Sequence, residues 1–215
     1  MAKGRAAGGV FGATYTRVGP VMDRRGATAH RRELLGAAFG RVVEIGAGYG
    51  ATFPLYPGQV TGVIAVEPDE TLRTSAKQAA KLARVPIEVV DGFASALPLG
   101  DGSVDVAVSS LVLCSVPDQS AALAELHRVL RPGGLLLMYE HVRSRHLALA
   151  ILEDLLAPVW SGLAGGCHPN RDTVAAARAA GFQIQHQRRF GFSILAGIPA
   201  VSHVIVAARK LPIGE

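Results

Sequence analysis

The stretch Val42-Val43-Glu44-Ile45-Gly46-Ala47-Gly48-Tyr49-Gly50-Ala51 decides how the rest of the chain is read. A short apolar run meets three glycines at alternate positions, the pattern of a strand that breaks into a turn and then opens a helix. With no side chain at 46, 48 and 50 the backbone is free to take positive φ, and a ligand can lie directly on it. The first amides of the following helix are expected to point at that ligand. Glu44, still on the strand, sets this loop apart from a plain nucleotide loop.

Alone, the loop admits two readings. Gly46-x-Gly48-x-x-Ala51 satisfies the relaxed dinucleotide fingerprint, in which a pyrophosphate rests on a helix N-terminus. The acidic-x-Gly-x-Gly-x-Gly pattern resembles the first motif of the class I S-adenosylmethionine methyltransferases. Their ligand brings an ammonium and a carboxylate in place of phosphates. A carboxylate such as Glu44 repels a pyrophosphate but helps hold an ammonium, directly or through backbone and water.

Working outward, strands are expected at 42–45, 60–66, 87–90, 106–108 and 135–138, with helices between most of them, among them 70–84 and one from Pro117 or Asp118 to Leu130. Asp118 suits an N-cap. Arg131-Pro132-Gly133-Gly134 reads as a sharp stop and restart. Strands that are apolar on both faces and separated by helices imply an α/β, doubly wound, mostly parallel sheet. A helix at 172–180 and strands at 182–190 and about 202–208 follow, the last two read as an antiparallel hairpin that brings the sheet to seven strands. Ligands of such a sheet sit at the C-terminal strand ends, where Gly46–Gly50, Glu67-Pro68, Phe93-Ala94, Ser109–Leu113 and Glu140-His141 converge. Glu67, about 20 residues past the glycines, is placed to accept hydrogen bonds from a ribose diol, which both ligand classes carry.

At 215 residues with 49% hydrophobic content the chain is long enough for one core. No run reaches the ~18 apolar residues of a membrane span, and the first residues lack the apolar stretch of a signal peptide. Cys114 and Cys167 lie far apart without metal-ligand spacing, so no metal and a reducing, cytoplasmic setting are expected. Charge is uneven. Residues 1–41 hold eight Lys or Arg against two acids, a net +6, whereas the remainder holds 14 bases and 15 acids, a net −1. No aromatic interleaving or reading motif accompanies those bases, so no nucleic-acid partner is expected. They read as a solvated helical face or as a weak contact to an anionic lipid surface.

Three regions are expected: a disordered Gly/Ala-rich tail at 1–13, a helical arm at 14–40, and the main domain at 41–215. Tyr15, Val18, Val21, Met22, Leu34, Leu35 and Ala38 suggest one or two helices in the arm, interrupted at Gly19-Pro20. The arm either folds over the ligand, with Tyr15 touching it, or packs on the sheet.

The motifs together carry a resemblance. Glu44–Gly50, Glu67, Ala94-Ser95-Ala96-Leu97-Pro98, Asp101-Gly102-Ser103-Val104-Asp105-Val106 and Leu130–Gly134 look like the successive motifs of the class I methyltransferases. The resemblance spans roughly residues 15–209. Leu111–Val116, Glu140-His141-Val142 and Gly166-Cys167-His168-Pro169-Asn170-Arg171 are similar to the alkyl-thiol S-methyltransferases, and to a bacterial branch related to phosphatidylethanolamine and quinone methyltransferases. The hydrophobic N-terminal anchor of the thiol enzymes is not seen in these 215 residues, so stable membrane insertion is not expected. The resemblance implies a Rossmann-like fold and S-adenosylmethionine as cofactor, with S-adenosylhomocysteine as product. It assigns the cofactor to Tyr15, Glu44, Gly46, Ala47, Gly48, Glu67, Pro68, Phe93, Ala94, Ser109 and Leu111. Related enzymes usually carry Asp where Phe93 stands. Phe93 offers an adenine only a ring face, Ala94 offers its amide, and Asp91 lies on the same face one strand period earlier.

Methyl transfer from a sulfonium is an in-line displacement that mainly needs alignment and exclusion of water. His141 is the first candidate for a base, with a structural strand-end histidine as the other reading; Glu140 and His168 follow. Leu147, Ile151, Leu155 and Trp160 either line an apolar acceptor pocket or form ordinary core. The acceptor is expected to be an apolar small molecule (thiol, phenol or amine). A lipid or quinone methyltransferase at a membrane surface and a non-catalytic cofactor-binding module stand as alternatives.

Overall fold

The structure, a computed structural model, describes residues 10–193 and 200–212. Seven strands form one sheet: β1 (Gly40–Ile45), β2 (Val60–Val66), β3 (Ile87–Val90), β4 (Val104–Ser110), β5 (Leu130–His141), β6 (Phe182–Phe192) and β7 (Val201–Lys210). Their order is β3-β2-β1-β4-β5-β7-β6. The first five are parallel, and β7 runs antiparallel to both β5 and β6. This is the expected doubly wound sheet with its C-terminal hairpin. Strand order reverses at β1, the strand that delivers the glycine loop, so the crevice beside β1 and β4 is where a ligand belongs.

Each face of the sheet has its own core. Val43, Ile45, Ala107, Leu136 and Met138 pack with Leu123 and Leu126 of α4 (Gln119–Val129) and Val174 of α6 (Thr173–Ala179). Val42, Val106, Val108 and Leu137 pack with Leu34 and Leu35 of α2 (Thr28–Leu35) and Ala76 of α3 (Glu70–Ala80). The alternation of faces along each strand is the period-2 geometry of a pleated sheet. Asp118 caps α4 by accepting from the Ala121 amide at 2.9 Å, as expected.

Several expectations need correction. Residues 10–13, expected in the disordered tail, form the first turn of α1 (Val10–Met22); residues 1–9 lie outside the described residues. The arm is not interrupted at Gly19-Pro20, because α1 runs through Pro20. The break comes in a π-helical segment, Asp23–Ala27, where Gly26 has φ +126°, a conformation open to glycine and strained for other residues. No α-helix follows the glycine loop. Turns lead to a single 3₁₀ turn at Phe53–Leu55, and Pro54 and Pro57 lie within a stretch too short for a helix to propagate. Arg131–Gly134 does not stop the strand but bulges from β5 between the pairs Val104↔Leu130 and Val106↔Leu135. The bulge is braced by Arg131 on Asp105 at 2.6 Å, and Asp105 also accepts the Arg41 amide at 2.8 Å.

Candidate active site

The loop after β1 turns as its glycines allow, with φ of +57°, +59° and +85° at Gly46, Gly48 and Gly50. A Cβ at Gly46 would lie 2.5 Å from Val112, so this glycine also permits a close approach to the segment after β4. The loop amides are not presented by a helix. Ala47 N–H donates to Val66 O at 3.2 Å, and Gly48 N–H donates to Glu67 Oε2 at 2.7 Å. The other Glu67 oxygen accepts the Asp69 amide at 2.9 Å. Glu67 therefore ties the end of β2 to the glycine loop, and burial pushes its carboxyl upward.

Glu44 is buried beside it. It accepts from Thr52 Oγ at 2.7 and 2.9 Å and from Tyr56 OH at 2.8 Å. Burial pushes the Glu44 carboxyl up to about 7, although both hydroxyls favour its charged form. Over the loop lies a cavity of only about 20 Å³ whose lining includes Tyr15, Arg31, Glu44, Gly46, Ala47, Gly48 and Ser110. Ligand pockets commonly span roughly 300–1,000 Å³, so a nucleoside needs a shift of the arm to enter. Tyr15 covers Gly48, and its ring is 5.7 Å from that of Tyr49. Asp23 of the arm accepts from Tyr49 OH and pairs with Arg31, and Arg31 Nε donates to Ser110 Oγ at 3.3 Å. The arm thus combines its two expected placements: α1 lies over the loop, while α2 packs on the sheet through Leu34 and Leu35.

Five of the expected cofactor residues, Tyr15, Glu44, Gly46, Ala47 and Gly48, line this one cavity. Pro68 follows the end of β2, and Phe93 and Ala94 follow the end of β3; none of the three lines this cavity. Phe93 is 49% exposed, with its ring free for stacking. Asp91 is paired with Arg73 at 3.0 Å, which engages the group expected to replace the missing adenine acid. Ser109 must be corrected: it is fully buried and donates to Glu140 Oε1 at 2.5 Å, and its neighbour Ser110 is the one that reaches the cavity. Leu111 takes φ +62°, the sole positive φ among described non-glycine residues, and donates its amide to Tyr139 O at 2.7 Å. This strained turn swings the chain after β4 beneath the glycine loop.

Glu140 is corrected too. Its carboxylate is fully buried and accepts from Ser109 and from the amides of Val112, Leu113 and Cys114 at 3.1–3.2 Å. A carboxylate with its lone pairs so occupied organises the loop and is no base. His168 likewise serves its loop: its Nδ1 contacts Gly166 O at 2.6 Å and its amide donates to Cys114 O at 2.8 Å. Of the expected stripe, Leu147, Ile151 and Leu155 do not join the buried core of the described residues, and Trp160 is half-buried. They lie on α5 (Leu147–Leu163), where Leu147 and Leu155 are 71% and 72% exposed.

His141 stands at the end of β5 and is buried. Its Nδ1 is 3.2 Å from Cys167 Sγ and 3.6 Å from Cys114 Sγ, and the two sulfurs are 3.8 Å apart. The expectation that the cysteines are remote holds only along the chain. Next to them the His203 ring lies 4.3 Å from that of His141, and Tyr139, Phe190 and Phe192 surround His203. Tyr139 OH and His203 Nε2 are buried without a hydrogen-bond partner among the described residues, and burial holds the His203 imidazole down at about 3.

Sequence reasoning missed Arg31, Thr52 and Ser110. Arg31 had a signal: with Leu34, Leu35 and Ala38 it occupies positions i, i+3, i+4 and i+7, the inward stripe of a helix. An arginine there is either buried against a partner or held for a ligand.

Comparison with known proteins agrees with this geometry. Residues 43–138 match the model of a methyltransferase domain. Human thiol S-methyltransferase TMT1B is 35% identical over 162 residues, covering 72% of this chain and 66% of that enzyme. The rat (Rattus norvegicus) TMT1B is 37% identical over 136 residues, covering 61% and 55%. Among solved structures, an S-adenosylmethionine-dependent methyltransferase from Thermotoga maritima, described as a possible histamine N-methyltransferase, superposes with TM-score 0.69 at 25% identity over 93% of this chain and 96% of that one. The chain belongs to the class I S-adenosylmethionine-dependent methyltransferases. Within them it is related to the thiol S-methyltransferases, of whose length the matches cover 55–66%. Among the described residues no helix is long and apolar enough to cross a membrane.

Proposed function

We propose that the chain moves the methyl group of S-adenosylmethionine to an apolar small molecule, with a thiol as the favoured acceptor and a phenol or amine as the alternatives. One observation carries this reading: Glu44 and Arg31 line the same small cavity over the glycine loop. An amino-acid end has an ammonium for Glu44 and a carboxylate for Arg31, whereas a pyrophosphate has only negative charge to set against Glu44. Gly46, Ala47 and Gly48 let the ligand lie on the backbone. Glu67 accepts the ribose diol once the Gly48 amide is released, with Pro68 beside it. Phe93 stacks on the adenine and Ala94 offers its amide. Tyr15 and the backbone at Leu111 close the pocket from the arm and from β4.

The chemistry asks little of side chains. The acceptor sulfur attacks the methyl carbon, the sulfonium bond breaks, and its electron pair stays on the departing thioether. Only the acceptor's proton has to be handled: it passes to His141 at the end of β5 or, where the thiol is ionised as it binds, to solvent. The relatives' name, thiol S-methyltransferase, supports sulfur as the attacked atom. The test is an acceptor screen with S-adenosylmethionine read by mass spectrometry. We expect a gain of one methylene on alkanethiols; gain on amines or phenols alone would refute the thiol preference. No product with any class would leave only cofactor binding. Two free, buried cysteines suit a reducing compartment such as the cytoplasm.

A second reading is a lipid or quinone methyltransferase at a membrane surface, favoured by the apolar row on α5. Leu147, Leu152, Leu155, Leu156 and Val159 are exposed there, and Arg17, Arg24 and Arg25 are exposed on the arm. Sedimentation with anionic vesicles that is lost in high salt and in Leu155→Glu would favour it; absence of binding in low salt would remove it.

A further inference from the structure

We propose that Cys114, His141 and Cys167 form a binding site for one zinc ion, with the fourth coordination position left for the sulfur of a thiol acceptor. The metal site stands on geometry alone, while the acceptor's place in it rests on the thiol reading above.

The fold brings these three residues together from separate elements: the turn after β4, the end of β5 and the loop after α5. In tetrahedral zinc sites Zn–S is about 2.3 Å and Zn–N about 2.0–2.1 Å, so ligand atoms are about 3.8 Å apart for two sulfurs and about 3.5 Å for sulfur and nitrogen. The observed separations are 3.8 Å for the sulfurs, and 3.2 and 3.6 Å from His141 Nδ1 to Cys167 and Cys114. All three are buried. Two thiolates and a neutral imidazole around a divalent cation sum to zero charge, which is the state that burial tolerates. Three protein ligands from two cysteines and a histidine leave one position open, the arrangement of a catalytic site and not a closed structural one.

The surroundings hold the ligands in place. The Cys114 amide donates to Glu140 at 3.1 Å and its carbonyl accepts the His168 amide at 2.8 Å. Arg171 donates to Leu113 O at 3.1 Å and Val116 O at 2.7 Å, so the loop with Cys167 is clamped onto the turn with Cys114. Glu140 is fully engaged and does not compete for the metal. Ser110, which lines the cofactor cavity, ends β4 four residues before Cys114.

In this role His141 holds the metal and does not itself take the proton. The acceptor thiol binds zinc as its thiolate and gives its proton to solvent. The thiolate attacks the methyl carbon, the sulfonium S–CH₃ bond breaks, and the neutral thioether product leaves the metal.

The experiment uses the full chain, purified in reductant, with Zn²⁺ and then Co²⁺ as probes. We expect one metal per chain by elemental analysis, protection of both thiols from a thiol reagent, and a thiolate-to-cobalt charge-transfer band. Cys114→Ser and Cys167→Ser should each weaken metal binding by at least the roughly 10- to 100-fold that losing an outer partner costs. Unchanged circular dichroism and S-adenosylhomocysteine affinity would show that these variants fold. Substoichiometric metal with both thiols equally reactive in its presence, or ready formation of a Cys114–Cys167 disulfide that excludes metal, would overturn the site. A cobalt band that changes on adding a short alkanethiol supports the fourth position; an unchanged band overturns that half alone. Cofactor binding with no metal would leave the methyltransferase reading intact.

Discussion

Glu44 sets the energetics of the pocket because it is an acid buried without a cation of its own. Its folded-state pKa, about 7, lies above the ordinary value of 4.5. The protonated form therefore contributes stability that is complete below pH 4.5 and lost as pH rises through about 7, some 3 kcal/mol across that window. The ligand's ammonium wants the opposite, ionised state. Affinity for S-adenosylmethionine should accordingly rise from about pH 6 to about pH 8. Glu44→Gln should flatten that rise, weaken binding, and make the free protein more stable above pH 7. Titration calorimetry and thermal melts over that range check both; an unchanged pH profile in the variant would remove Glu44 from the site. Arg31 belongs to the same balance. It is 3% exposed and already paired with Asp23, so a ligand carboxylate must share or take over that contact.

At the scale of elements, the two ends of the sheet do different work. The C-terminal ends of β1, β2, β4 and β5 carry the glycine loop, Glu67, Ser110 and His141. The opposite end is braced by Asp105 and by Arg128, which binds Asp101 at 2.7 Å and Glu125 at 2.6 Å. Asp105→Ala should cost about 1–3 kcal/mol in denaturant unfolding, by leaving the Arg41 amide and Arg131 without their acceptor. Cofactor affinity should not change; a large loss of affinity would contradict this division. The sheet was legible in the sequence because its signals are local: apolar runs, glycine turns, and an N-cap at Asp118. What escaped depends on distant contacts. Cys167 meets His141 across 26 residues and Cys114 across 53, and no spacing rule reaches that far. The missing helix after the loop was a misjudged length, with Pro54 and Pro57 leaving room for one turn only. The stripe on α5 was read correctly as apolar, but it stays exposed and does not join the core of the described residues.

The whole molecule is a doubly wound sheet with an arm folded across its ligand crevice, and the arm makes the site small. Glu67, Glu44 and the glycine loop were visible as a motif, but Arg31 gains its meaning only when α2 packs on the sheet over β5 and β7. A ligand that the folded chain alone recognises must stabilise it. S-adenosylhomocysteine at a hundredfold excess over its dissociation constant should add about 2.7 kcal/mol, a rise in Tm of roughly 5–10 °C for a chain of this size. The most direct test is titration calorimetry of S-adenosylmethionine, S-adenosylhomocysteine and NAD against the wild type and Gly48→Arg, whose side chain would fill the space under Tyr15. We expect one site for each sulfur nucleoside, none for NAD, and no binding by the variant. Equal affinity for NAD, or a Gly48→Arg protein that binds as the wild type does, would contradict this reading.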